Sequence, residues 1–181
     1  MTKFKRMKNL LFLFLLSPFF LASQNAVFPD EYIGKWAGQL QIYNGAGLVQ
    51  QLPMQLHILP TDSTNRYTFT IIYGEDTLAG RRPYELLVLD QEKGLYLVDE
   101  KNTIQMEAYY IGGKLWQNFE VQGSVLNTTL WKENGDLVWE LSFGSTTPAS
   151  TSGGQMHEGE EIPEVKAFPI QGVQRARLAR M

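Results

Sequence analysis

What most constrains this chain is an alternation of apolar and polar side chains, two residues in period, that recurs from Trp36 to Phe143. Trp36, Gly38, Leu40 and Ile42 share one parity, and Lys35, Gln39 and Gln41 take the other. Leu52, Met54, Leu56 and Ile58 alternate with Gln51, Gln55 and His57, and Tyr67, Phe69, Ile71 and Tyr73 with Thr68 and Thr70. Such a pattern predicts strands with one buried face. Further strands are expected over 82–89, 95–100, 104–111, 115–121, 125–131 and 137–143. The links Gly112-Gly113, Gln122-Gly123 and Asn134-Gly135 tolerate the positive φ that tight primed hairpin turns require. Residues 94–143 therefore read as a meander of five strands, and an extended segment over 165–178 returns after them. The fold expected is all-β: a single up-and-down antiparallel β-barrel of about 8–10 strands, because closure removes the unpaired edges of an open meander.

The flanks set the compartment and the domain limits. Lys3, Lys5, Arg6 and Lys8 precede a short apolar run ending at Leu21, followed by Ala22 and Ser23. That layout predicts a cleaved signal peptide over 1–23. The run is interrupted by Pro18 and is shorter than the roughly 20 residues a spanning helix needs. An exported bacterial protein, periplasmic or secreted, with no membrane span after cleavage is expected. Losing those four cations from 16 leaves 12 basic residues against 19 acidic ones, a net charge near −7. A chain so acidic is a poor partner for nucleic acid, which binds largely through phosphate neutralisation by Lys and Arg.

Cysteine is absent, so the core must supply the stability. About 150 residues bury roughly 68–70% of their unfolded surface, enough for one independent domain. The expected domain is 24–144 together with 165–181, acting as a monomer. Between them, Ser145–Glu164 is acidic, rich in Ser, Thr and Gly, and without apolar period. It is expected to be a flexible loop.

Gly34-Lys35-Trp36, heading the first strand, resembles the glycine–any–tryptophan signature of the calycins, the superfamily of lipocalins, fatty-acid-binding proteins and avidins. The resemblance implies a lipocalin-like barrel of the kind bacteria export. It implies that Trp36 plugs the closed end and packs against an arginine from the last elements, for which Arg175 and Arg177 are the candidates. Gly34 and Gly38 would let the chain fit tightly around that plug. The chain departs from the family twice. Ser63 follows Thr61-Asp62 where lipocalins carry tyrosine, and the link over 44–48 is too short for the helical lid of fatty-acid-binding proteins.

If the parity of Trp36 marks the interior, the cavity candidates are Tyr67, Phe69, Tyr73, Arg82, Tyr84, Tyr96, Glu100, Met106, Tyr110, Phe119 and Trp139. Asn127 falls with them on the same reading. A barrel of this size is either filled by its side chains or holds one small ligand. Aromatic and thioether walls with a few polar groups suit a small hydrophobic or amphipathic guest. The alternative is a filled barrel acting as a structural or protein-interaction module, with Trp116 on its outer face. Catalytic options are poor. His57 alternates with Gln55 and points to solvent, and His157 lies in the acidic loop. The adjacent pairs Glu75-Asp76 and Asp99-Glu100 point to opposite faces of a strand. With two histidines and no cysteine, neither metal nor other cofactor is expected, and the barrel is expected to be non-catalytic.

Overall fold

The computed structural model describes residues 28–181. The segment expected to be a signal peptide lies outside the described residues. A short 3-10 turn, Asp30–Tyr32, leads into β1 (Gly34–Asn44) and β2 (Gly47–Ile58). Then come β3 (Arg66–Tyr73), β4 (Arg81–Asp90), β5 (Leu95–Asp99), β6 (Gln105–Ile111), β7 (Lys114–Val121), β8 (Ser124–Glu133) and β9 (Asp136–Ser145). Between β9 and the final strand β14 (Gly172–Arg180) lie four short pieces: β10 (Ser150–Ser152), β11 (Met156–His157), β12 (Glu160–Glu161) and β13 (Val165–Ala167).

Ten of these strands close into one antiparallel barrel, in which β1 to β9 follow one another and β14 fills the gap between β9 and β1. The expected up-and-down barrel is what the chain forms. The three diglycine-like links behave as the sequence requires. Gly112 and Gly113, Gln122 and Gly123, and Asn134 and Gly135 all have positive φ, the conformation of a type I′ turn. The long excursion over 145–164, expected as a flexible loop, contains an antiparallel ribbon in which β11 pairs β12. Flanking that ribbon, β10 pairs β13. Val165–Ala167 thus pairs away from the barrel, and the closing strand starts at Gly172.

The closing seam explains one glycine. Gly38 of β1 lies opposite Leu178 of β14, and a Cβ built on it would sit 2.1 Å from the Arg177 carbonyl oxygen. Only a residue without Cβ lets the two backbones approach this closely. Inside, Leu40, Met54, Leu56, Ile58, Leu86, Val98, Leu137 and Leu178 are buried almost completely. Each contributes about 1.5–3 kcal/mol through removal from water.

Candidate functional site

The barrel has one sealed end. Trp36 is 1% exposed, and its indole Nε1 donates to the Tyr32 carbonyl oxygen at 2.9 Å. It does not seal the end alone. Phe28 packs edge-on to Tyr32 and Tyr96, with centroids 4.8 and 4.9 Å apart, and stacks on Tyr110 at 5.0 Å. The Phe28 carbonyl oxygen accepts from the Tyr96 hydroxyl and from Gln91 Nε2, both at 2.8 Å. The Tyr32 hydroxyl donates to the Gly113 carbonyl oxygen at 3.2 Å. Burial raises the Tyr96 hydroxyl to about 12, and burial with neighbouring Tyr110 raises Tyr32 as well.

These contacts relocate several expected residues. Tyr96 and Tyr110 belong to the aromatic stopper and Tyr67 reaches Asp30, its hydroxyl donating to Oδ1 at 3.2 Å. All three sit at the sealed end rather than around a cavity, because they occupy strand ends at the level of Trp36. The arginine partner also differs. Arg180 places its guanidinium 5.4 Å from the Trp36 ring centroid and donates from Nη2 to the Ile33 carbonyl oxygen at 2.8 Å. Arg175 and Arg177 point outward and pair with Glu140 and with Glu133 and Asp136. Strand parity decides this. Ala176 and Leu178 are buried, so 175 and 177 take the other face while Arg180 shares theirs. Gly34 stands beside Arg180, whose Nε would lie 3.2 Å from an added Cβ.

The opposite half of the barrel encloses a cavity of about 140 Å³. Phe69, Tyr73, Tyr84, Glu100, Met106, Phe119 and Trp139, all expected cavity residues, line it. Ile71, Val98, Leu115, Leu130 and Leu141 add aliphatic wall. Arg82 does not reach it. That side chain is exposed at the rim, where Nη1 donates to the Ala79 and Arg81 carbonyl oxygens. Its strand begins at Arg81, so the inward parity it shares with Tyr84 has no enclosed space to point into. Leu126 and Leu130 face Phe119 and Leu115 across β7, and Asn127 also lies outside, beside Phe168 and Ile170.

Gln117 and Thr128 were not singled out by the alternation and belong to the cavity. Gln117, on the inward parity of Leu115 and Phe119, is buried, and its Oε1 accepts from the Thr128 hydroxyl at 3.2 Å. Its Nε2 has no hydrogen-bond partner among the described residues. Tyr73 and Tyr84 bring hydroxyls to the same space. Burial raises Tyr73 to about 12, and burial together with the neighbouring Glu100 carboxylate raises Tyr84.

The connections around the open end are apolar at their tips. Leu48 and Val49, Leu78, Ile104, Val121, Phe168 and Ile170 are all exposed there. On the outer wall, Trp116 is exposed as its parity predicts. Lys114 Nζ lies 5.7 Å from its centroid and 4.0 Å from that of Trp131.

No protein-family model matches the chain, and no curated protein matches it. Among solved structures it is similar to the S-type phycobiliprotein lyase CPES of Guillardia theta, with 8% identity and a TM-score of 0.49. The similarity covers 84% of this chain and 89% of that one. That structure is described as a lyase's; the expectation that this chain is not an enzyme is dropped.

Proposed function

We propose that this chain is an exported, lipocalin-like barrel that takes one small amphipathic molecule into the open half of its interior. The Gln117 amide carries the reading. A buried N–H without an acceptor costs about 1–3 kcal/mol, and here the donor belongs to a side chain lining a chamber with aromatic walls. A guest with an acceptor oxygen removes that cost on entry, and its apolar body meets Phe69, Phe119 and Trp139. The volume sets the scale: a cavity of roughly 150 Å³ holds one benzene ring. The apolar tips around the opening suit the approach of a guest that is itself partly apolar.

Tyrosol, a phenol with a neutral hydroxyl tail, is a suitable probe because its phenolic oxygen offers Gln117 an acceptor. The double variant Gln117→Met, Thr128→Val removes the orphan donor and its partner without changing the volume much. Replacing both members of a polar pair by apolar groups of similar shape is nearly neutral or stabilising. The variant is expected to melt at or above the wild-type temperature and to bind tyrosol about tenfold more weakly, or worse, by calorimetry. Unchanged tyrosol affinity in a folded double variant would show that Gln117 orients no guest and would sink the reading.

A further inference from the structure

We infer that the guest is a cation, a small protonated amine with an aromatic or aliphatic body; this rests on the cavity reading above and names the chemistry the cavity selects. Among the described residues lining the cavity, Glu100 is the one with a charged side chain. It pairs with no Lys or Arg among the described residues. Its carboxylate accepts from Asn102 Nδ2, which donates to Oε2 at 3.2 Å, and from the neighbouring Tyr84 hydroxyl. The nearby carboxylate Glu85 is different. It faces outward and is held by Arg66 and Lys101.

Arg82 stands at the rim close enough to act on Tyr73 and Tyr84 electrostatically, but forms no ion pair with Glu100 among the described residues. Its guanidinium is committed to the backbone carbonyl oxygens of Ala79 and Arg81. A carboxylate guest would therefore enter a chamber whose charged lining group has its own sign. An ammonium would meet a half-buried carboxylate, where a charge-assisted hydrogen bond is about twice as strong as a neutral one. The remaining walls suit the same guest. Tyr73, Tyr84, Phe119 and Trp139 line the chamber, and aromatic ring faces attract a desolvated cation. The acidic excess of the chain, a net charge of −3 over its full length, adds long-range attraction of the same sign.

Three probes of nearly one shape separate the possibilities: tyramine, tyrosol and 4-hydroxyphenylacetate share the phenol and carry an ammonium, a hydroxyl or a carboxylate on its tail. Calorimetry at neutral pH and low salt on the wild type and on Glu100→Gln reads the preference directly. Tyramine is expected to bind the wild type about tenfold or more tightly than tyrosol, and the acid most weakly. Glu100→Gln is expected to erase the advantage of tyramine over tyrosol, and an unchanged circular dichroism spectrum and melting temperature show that the variant is folded. Equal affinity for tyramine and tyrosol, a preference for the acid, or an amine preference that survives Glu100→Gln would overturn the inference and leave the cavity reading standing. Failure of all three probes to bind the wild type would overturn both.

Discussion

Trp36→Ala is expected to lower the stability of the barrel by about 3–5 kcal/mol, the range for truncating a fully buried large aromatic. For a domain of this size that is a fall in melting temperature of roughly 6–20 °C. The cost has three sources in the structure. The indole is 1% exposed, so its removal leaves a void at the end of the barrel. Its Nε1 satisfies the Tyr32 carbonyl oxygen, which anchors the turn carrying the aromatic stopper. It is also the surface over which Arg180 lies. Two further substitutions show whether the account assigns the partner correctly. Arg180→Ala loses an exposed cation–π contact worth about 0.5–1 kcal/mol and the hydrogen bond to Ile33. Arg177→Ala removes only outward ion pairs, whose typical contribution is about 0–1 kcal/mol. Thermal melts ranking the losses Trp36→Ala, then Arg180→Ala, then Arg177→Ala match the structure. A larger loss for Arg177→Ala than for Arg180→Ala contradicts it.

The second large effect is expected at the closing seam. Gly38→Ala places a methyl group 2.1 Å from the Arg177 carbonyl oxygen and 3.1 Å from its carbon. Both atoms are backbone and cannot rotate away, so β1 and β14 must separate locally. Overpacking of this kind costs about 1–3 kcal/mol, occasionally more. The loss should be concentrated in the ladder that closes the barrel, and amide exchange should quicken most around Gly38, Leu178 and their neighbours. Gly45 supplies the control, because a Cβ there meets nothing within 4 Å. Gly45→Ala is expected to be neutral or stabilising by about 0.4–1 kcal/mol through the unfolded chain. Equal stability of the two alanine variants would mean that the seam is not packed as described.

The architecture was legible because a barrel of hairpins is written locally. Alternation gives each strand its faces, and Gly112-Gly113, Gln122-Gly123 and Asn134-Gly135 give its turns. The site was legible only in part, because parity says inside or outside but not how far along the barrel axis a residue lies. Tyr67, Tyr96 and Tyr110 are inward like Tyr73 and Tyr84, yet they sit at the sealed end. Their height follows from the stagger of ten strands, which no single run of sequence displays. Phe28 and Tyr32 precede the first strand, and no periodicity marks them as a stopper. Arg180 could have been found by extending the parity of Ala176 and Leu178 two residues further. Gln117 was readable in the same way. It lies between Leu115 and Phe119 on the inward face, and a polar residue there is a departure from the pattern that marks the site.

The most direct test of the central claim uses the side chains themselves as reporters. In 15N-labelled protein, the Gln117 amide and the indole N–H groups of Trp36, Trp116, Trp131 and Trp139 are followed by NMR as tyrosol is added. Trp139 lines the cavity, whereas Trp116 is bonded to the Ile111 carbonyl oxygen on the outer wall and Trp131 lies against Lys114. The account predicts saturable shifts at Gln117 and Trp139, with Trp116 and Trp131 unmoved. Shifts at Trp116 and Trp131 with Gln117 silent, or no shift at any of them, would contradict an interior site.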